Sequence, residues 1–323
     1  MNRRTHNLAA GLLCSALVVM AVATGAGAAR APAATRTSTL TPVTVALLPI
    51  EATAQAFYAK EEGFFRRQGI DARITVLGDP KLIVDTVIAG QAQFASISVG
   101  ALAIVKTRGA PIRVVAAGSL HRPGASTSAL VAAPGKRITT ARDLTGKLIA
   151  IDTRNNLAHI ALLKWLKQNG MREDDVRLTE MPFSAMLGPL THGQVDAAVI
   201  AEPFLTLAKQ HGAKTIAIVL DAVCAHDCLS TMWMARKDVD RDLAARFRNA
   251  IQAASVWADA KKHRGASGVI LAKYSKINRA LIRKTTRVSF ATRLRPTMAQ
   301  PWIDAFAEFG VIPQSFSALD LVK

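Results

Sequence analysis

The sequence is poor in cysteine. It has 3 cysteines in 323 residues, and one of them, Cys14, lies inside an apolar N-terminal run. The other two, Cys224 and Cys228, stand close together with His226 between them. A metal site built from these three side chains lacks a fourth ligand at a standard spacing, and the Cys-x-x-Cys-His pattern of haem attachment is absent. We therefore predict no metal site and no cofactor.

Acidic residues are also scarce. The chain has 23 Asp and Glu against 41 Lys and Arg, which gives a formal net charge of +18. No basic run is long enough, or interleaved with enough aromatic side chains, to indicate nucleic-acid binding. We expect the excess charge to form a solvated basic surface. The alternative is that it concentrates anions or holds the protein near an anionic membrane.

Two further patterns are missing. The Gly-x-Ser-x-Gly turn that carries a nucleophilic serine in α/β hydrolases does not occur in the sequence. The apolar run Leu8–Val22 is short for a membrane span, which needs about 20 apolar residues. The sequence therefore indicates neither a hydrolase of that type nor a transmembrane helix, although an uncleaved N-terminal anchor is an alternative.

The N-terminus has the three parts of a secretory signal peptide. Arg3, Arg4 and His6 precede the run Leu8–Val22, and the small residues Gly25–Ala29 follow it. This order predicts a signal peptide over residues 1–28 and a periplasmic location, with Sec and twin-arginine export both open. Residues 29–42 are rich in Ala, Thr, Ser and Pro, which predicts a disordered leader.

One unit of sequence occurs twice. Gly193–Phe204 runs from a Gly-Gln pair into a short apolar stretch, and Gly90–Leu102 does the same. Each apolar stretch is typical of a buried strand. Each is followed by a predicted helix that ends at a glycine, Gly212 or Gly109. A repeat of about one domain's length predicts two similar α/β lobes rather than a solenoid.

The hydrophobic pattern predicts an α/β fold of two lobes, each a mixed sheet flanked by helices. Lobe one is expected over residues 43–128, lobe two over 129–234, and a return to lobe one with C-terminal helices over 235–323. Two strands, Ala129–Ala133 and Thr231–Ala235, are expected to cross between the lobes. Other predicted elements are a helix at Thr53–Arg67, a loop at Ser119–Ser128, a helix at Leu157–Gln168 and a strand at Thr215–Leu220.

A cleft between the lobes is the predicted ligand site. In open α/β sheets, ligands lie at the carboxyl ends of the strands, beside the N-termini of helices. Loops expected at those ends supply the candidate ligand-binding residues, which are Pro49, Ile50, Glu51, Ser96, Ser98, Thr153, Arg154, Asn155, Asn156, Glu202 and Phe204.

These candidates favour two different kinds of ligand. The guanidinium of Arg154 could bind a sulfonate or carboxylate, whereas Glu51 and Glu202 favour a ligand that donates hydrogen bonds. We expect Arg154 and Glu202 to line the same site. Each side chain also has a structural alternative: Arg154 in solvent, Ser98 and Asn156 as helix caps, and Phe204 in the core.

Several stretches resemble the nitrate/sulfonate/taurine-type solute-binding proteins of ABC importers. They are Ala59–Phe65, Gly90–Ala95, Ala141–Lys147 and Gly193–Phe204, and the resemblance extends from about Val43 to the C-terminus. It implies a type II periplasmic-binding-protein fold that holds a small-molecule solute between two lobes without catalysis. It also implies a monomer whose partners are an ABC permease and its ATPase. The solute would be a sulfonate, taurine, a nitrate-like anion or a pyrimidine precursor.

The resemblance has one departure and two alternatives. Sulfonate-binding members often have Gly-Ser-x-x-His after the first strand of lobe two, where this chain has Thr153–His159 without that glycine and serine. A related branch contains thiamine-pyrimidine synthases, so an enzyme of that type is one alternative. The other is a ligand-sensing partner of a signalling membrane protein.

The spacing of Cys224 and Cys228, together with predicted export, indicates a disulfide. We expect mass spectrometry of unreduced, alkylated protein purified from the periplasm to find both thiols blocked as a pair. Two alkylated thiols in that material would contradict the prediction.

Overall fold

The computed structural model describes residues 40–322. The predicted signal peptide (1–28) and most of the predicted leader (29–42) lie outside these residues, and Thr41 and Pro42 belong to the first strand. No helix within residues 40–322 is long and apolar enough to cross a membrane.

Strands and helices alternate along most of the described chain. The strands are β1 Thr41–Leu47, β2 Ile70–Val76, β3 Phe94–Ser98, β4 Ile112–Ala117, β5 Ser119–His121, β6 Ser128–Ala132, β7 Leu148–Ile151, β8 Arg177–Glu180, β9 Ala197–Ala201, β10 Lys214–Ala217, β11 Cys228–Leu229, β12 Thr231–Arg236 and β13 Ser289–Phe290. The helices are α1 Gln55–Glu61, α2 Phe64–Arg67, α3 Pro80–Ile88, α4 Val99–Thr107, α5 Leu157–Gln168, α6 Leu187–Thr191, α7 Phe204–Gln210, α8 Arg241–Asp259, α9 Arg264–Ser275, α10 Arg279–Ile282 and α11 Gln300–Glu308.

Two five-stranded sheets have the same arrangement. The first has the order β2-β1-β3-β12-β4 and the second has the order β8-β7-β9-β6-β10. In each sheet the first three strands are parallel, and the fourth runs antiparallel to its neighbours. The predicted α/β class with two mixed sheets is confirmed, and the matching order is the structural counterpart of the sequence repeat.

The fourth strand of each sheet comes from the other half of the chain. Strand β6 follows the strands of the first sheet but pairs with β9 and β10 in the second. Strand β12 follows the strands of the second sheet but pairs with β3 and β4 in the first. The crossing strands were predicted at nearly these positions. Because β12 begins at Thr231, the chain is already in the first sheet before residue 234, where the predicted lobe two ends.

A small third sheet, with the order β11-β5-β13, lies beside the two crossings. Cys228 in β11 pairs opposite His121 in β5 and forms a disulfide with Cys224. The side chain of His121 is buried, and its Nε2 atom lies 2.6 Å from Oδ1 of Asp221. The stretch Ser119–Ser128 was predicted to be a loop, which is wrong for β5, because short strands in a turn-rich stretch leave no periodic signal.

Apolar side chains form cores on both faces of each sheet. The first sheet packs α1, α8 and α9 on one face through residues such as Phe57, Phe247 and Leu271. The second sheet packs α6 and α7 through residues such as Leu190 and Leu205. A further core, in which α4, α5 and α11 meet, contains residues of both sheets.

Local sequence explains several element boundaries. Helix α5 has the predicted bounds, and most of its side chains, nearly all of them apolar, are buried. Helix α4 begins after Ser98, whose hydroxyl accepts a hydrogen bond from Ala101 N–H at 3.1 Å, as an N-cap does. The predicted single helix Thr53–Arg67 is wrong, because Gly63 adopts a φ of +72° and separates α1 from α2. The predicted strand Thr215–Leu220 ends at Ala217 and continues as a 3-10 turn.

Gly100 permits the contact between α4 and α11. A Cβ atom at this position would lie 1.8 Å from Cζ of Phe306, whose ring is fully buried on α11. Gly188 occupies the same second position of α6, and a Cβ atom there would meet nothing within 4 Å.

We expect Gly100→Ala to lower the free energy of unfolding by about 1–3 kcal/mol, because the methyl group overpacks a filled core. Gly188→Ala is the matched control, and it should leave stability unchanged or raise it by up to about 1 kcal/mol, because alanine favours helix more than glycine does. Urea denaturation of both variants measures the difference. Equal stability of the two variants would contradict the close contact.

Candidate functional site

A cavity of about 100 Å³ lies between the two sheets, and we call it the cleft cavity. Its wall is built from the carboxyl ends of β1, β3, β7 and β9 and from the start of each crossing strand. The lining residues are Leu48, Ile50, Ala52, Thr53, Pro80, Ile83, Ser96, Ile97, Ser98, Ser119, Leu120, Thr127, Ser128, Asp152, Asn156, Leu157, Ala158, Phe183, Ala201, Glu202, Leu220, Ser230, Thr231 and Val288.

The register of the sheets brings the crossing strands to this wall. Thr231, the first residue of β12, pairs opposite Ser98 at the end of β3. Ser128, the first residue of β6, pairs opposite Ala201 at the end of β9. The crossings therefore begin at the cavity, and both lobes contribute to a single wall.

A chain of hydrogen bonds crosses the cleft. The Ser98 hydroxyl of the first sheet donates to Oδ1 of Asn156 at 2.6 Å. Asn156 Nδ2 donates in turn to Oδ2 of Asp152 at 2.7 Å. A second link across the cleft is the hydrogen bond from Glu51 N–H to the Glu202 carbonyl oxygen, at 3.2 Å. These links hold the two lobes together around the cavity.

Two polar atoms at the cavity wall have no protein partner. They are Oδ1 of Asp152 and the hydroxyl of Ser96, and both residues are buried, with exposed fractions of 9% and 1%. Burial raises the pKa of Asp152 to about 6, although hydrogen bonding from Asn156 and from the nearby backbone N–H groups of Thr153 and Asp152 acts in the opposite direction. An unpaired buried polar group is costly, so such atoms mark where a solute or water would bind.

Glu202 also lines the cavity, but its carboxylate is already bound. Oε1 accepts from the Thr206 hydroxyl at 2.7 Å and from Thr286 N–H at 3.2 Å, and Oε2 accepts from Thr206 N–H at 3.0 Å. Burial raises the pKa of Glu202, and these hydrogen bonds act against the rise. The carboxylate therefore caps the first turn of α7 and ties it to the segment before β13.

Glu51 lies behind the wall rather than in it. Its buried carboxylate pairs with Arg287, and the Arg287 guanidinium also donates to the Tyr58 hydroxyl at 3.0 Å. Burial raises the pKa of Glu51 to about 7, while the charge of Arg287 acts to lower it. This pair anchors the loop after β1, whose neighbouring residues Ile50, Ala52 and Thr53 do line the cavity.

The structure divides the sequence-predicted residues into three groups. Ile50, Ser96, Ser98, Asn156 and Glu202 line the cleft cavity. Thr153, Arg154 and Asn155, again with Asn156, line a separate groove of about 350 Å³ between α3, α4 and the loop after β7, which we call the outer groove. Pro49, Glu51 and Phe204 line neither, and Phe204 is part of the core under the second sheet.

Arg154 does not share a site with Glu202, contrary to expectation. Its side chain is half exposed and pairs with Glu173 and, at 3.8 Å, with Glu180. Glu180 also accepts from Arg154 N–H at 2.9 Å, so that the residue is held on the outer side of its loop. The guanidinium charge is therefore neutralised outside the cavity.

Sequence reasoning missed several wall residues. Asp152 follows β7 directly and stands one position before Thr153. Because ligands bind at the carboxyl ends of strands, Asp152 could have been added to the candidate ligand-binding residues. Ser128 and Thr231 begin the two predicted crossing strands, and Phe183 lies in the loop after β8. Only the pairing register shows that the crossing strands begin at the cavity. Within residues 40–322, no group of three or more His, Cys, Asp or Glu is placed to hold a metal ion.

Comparison with known proteins bears on family and fold. The model of the family described as NMT1/THI5 like matches residues 52–263. The bicarbonate transport ATP-binding protein CmpC of Synechocystis sp. is 29% identical over 181 residues, which cover 51% of this chain and 27% of CmpC. This chain therefore spans only about a quarter of that relative.

Two solved structures have the same fold at low sequence identity. The periplasmic aliphatic sulphonate binding protein SsuA of Escherichia coli has a TM-score of 0.69 at 16% identity and covers 87% of this chain and 97% of its own. The periplasmic nitrate-binding protein NrtA of Synechocystis has a TM-score of 0.71 at 15% identity and covers 88% of this chain and 85% of its own. Since the family model matches more than half of the sequence, the chain belongs to the NMT1/THI5-like family, and its fold is that of the periplasmic binding proteins.

Proposed function

We propose that the protein is the solute-binding component of an ABC importer. It takes a small organic solute into the cleft cavity and presents it to a membrane permease that works with an ATPase. The observation that carries this proposal is the cavity itself, which both lobes line at the carboxyl ends of their strands. The predicted signal peptide fits a protein that meets its solute in the periplasm, as a monomer.

The size of the cavity supports a small solute. Its volume of about 100 Å³ is below the range of roughly 300–1,000 Å³ that is usual for drug-sized ligands. Sulfonates, taurine, nitrate-like anions and pyrimidine precursors are the classes to test. The two solved structures described above are named as binding proteins, which supports binding without catalysis.

Closure around the solute is the mechanism that the fold supports. The chain passes between the lobes at β6 and at β12, and such paired crossings act as a hinge. In the closed form, Ser98 and Asn156 are joined across the cleft. A solute that contacts both lobes binds the closed form better than the open form, and this difference in affinity shifts the population.

Solute binding should be detectable directly. We expect at least one member of a panel of taurine, ethanesulfonate, nitrate, bicarbonate and 4-aminopyrimidine to raise the melting temperature. The same compound should reduce the radius of gyration measured by small-angle X-ray scattering, because binding stabilises the closed form. If no compound in the panel changed either quantity, the proposed function would lose its support.

Asn156→Ala tests whether the cross-cleft hydrogen bonds hold the closed form. The variant removes the link between Ser98 and Asp152, which should cost the closed form about 0.5–1.5 kcal/mol. We expect a larger radius of gyration without solute and a several-fold weaker affinity for the compound found in the panel. Asn169→Ala is the matched control, because the Asn169 amide bonds only to its own helix, at the Trp165 carbonyl oxygen. Identical scattering of the two variants would contradict the role of Asn156.

A further inference from the structure

The charge of the cleft cavity is unusual for a site that would bind an anion. Among the described residues that line it, the charged side chains are Asp152 and Glu202, and none is Lys, Arg or His. Lys81 follows the lining residue Pro80, but it lines the outer groove and not the cavity. Two arginines of neighbouring segments are engaged elsewhere. Arg287 binds Glu51, Tyr58 and the Arg264 carbonyl oxygen, and Arg154 is paired outside the cavity.

The helices that begin at the cavity do not change the negative charge of its lining into a site for anions. Helices α4 and α5 begin there, and the positive end of a helix dipole favours a negative group. Asp152 already supplies such a group one turn before α5, and Glu202 supplies another beside α7. An anionic solute would therefore be brought next to two carboxylates in a buried space, where charge repulsion is stronger than in water.

The unpartnered atoms show what a fitting solute must offer. Oδ1 of Asp152 is a hydrogen-bond acceptor without a donor, and its other oxygen is already held by Asn156. The Ser96 hydroxyl, which can donate or accept a hydrogen bond, also has no partner. Asp152 follows β7 of the second sheet and Ser96 belongs to β3 of the first, so one solute that satisfies both atoms would join the two lobes.

We propose that the solute is neutral or cationic, donates an N–H group to Asp152 Oδ1 and forms a hydrogen bond with the Ser96 hydroxyl. Amidines and amino-substituted nitrogen heterocycles have this chemistry, because both carry N–H donors, and the Ser96 hydroxyl can accept from a second N–H or donate to a ring nitrogen. The inference rests on the proposed function and narrows it: inorganic anions and simple sulfonates are excluded as the transported solute.

Pairs of probes with the same shape and opposite charge test this proposal. Guanidinium and nitrate are both planar and trigonal, and acetamidinium and acetate have the same heavy-atom skeleton. Isothermal titration calorimetry with these four ions and with 4-aminopyrimidine compares the two kinds of ligand at equal size. We expect the nitrogen donors to bind and the matched anions not to bind.

Asp152→Asn is the central variant. Asparagine keeps the shape of the side chain and an oxygen for the Asn156 amide, so the fold should be unchanged, which an unfolding curve checks. Loss of a hydrogen bond to a charged acceptor should weaken the nitrogen donors by roughly tenfold to a hundredfold. Asp85→Asn is the charge-matched control, because Asp85 is exposed on α3 and lines the outer groove instead.

The effect of pH provides an independent measurement. Burial raises the pKa of Asp152 to about 6, and the charge of Glu180 at the end of β8 adds to this rise. Other charged or titratable groups on neighbouring segments include Arg154 in the same loop, which pairs with Glu180, Glu202 after β9 and His159 on α5. Below about pH 6 Asp152 becomes protonated, so a probe that stays cationic should bind less tightly, and the affinity lost should be smaller in Asp152→Asn.

The possible results separate the solute class from the proposed function. Binding of the nitrogen donors that is weakened by Asp152→Asn and not by Asp85→Asn supports the proposal. If nitrate, acetate or ethanesulfonate binds, and binds the Asp152→Asn variant equally or more tightly, the proposed solute class is wrong. The solute-binding function would still be supported. Failure of every nitrogen donor to bind, or equal binding to the wild type and Asp152→Asn, also overturns the class. Only failure of the whole wider panel counts against the function itself.

Discussion

Each sheet of this protein is completed by a strand from the other half of the chain, and the rest of the structure depends on this exchange. Without β12 the first sheet would lose the strand that joins β3 to β4, and without β6 the second would lose the strand that joins β9 to β10. Neither lobe can therefore form its full set of backbone hydrogen bonds from one contiguous segment. The exchange also places two chain crossings next to each other, and the cavity lies where both begin.

The chemistry of the cavity follows from its position. Strand ends and helix starts provide backbone dipoles, but the side chains that the fold brings there are mostly small, apolar or hydroxyl-bearing, with two carboxylates. One carboxylate, Glu202, is used to cap α7, and the other, Asp152, keeps a free oxygen. The sequence has a net charge of +18, whereas the charged side chains at the cavity wall are both carboxylates. Net charge therefore says little about the ligand of a buried site.

The fold could be predicted to a large extent because its signals are local. Helix α5 was predicted with its observed bounds, since a long, mostly apolar run that ends just before a glycine is a strong signal. The errors occurred where a single residue or a distant partner decided the structure. Gly63 divides a stretch that is otherwise suited to one helix, and β5 exists only because β11 and β13 pair with it.

The sequence by itself determined the two-lobed α/β class, the repeat, the crossing strands and the loops that surround the cleft, because each of these follows from hydrophobic periodicity and chain order. Only the tertiary structure decided which side chains of those loops face the cavity. Arg154 and Asp152 are two positions apart, yet one pairs with Glu173 and Glu180 on the outside while the other is buried at the wall. The reason is physical: the direction of a loop side chain depends on the partners that packing brings to it, and those partners lie far away in the sequence.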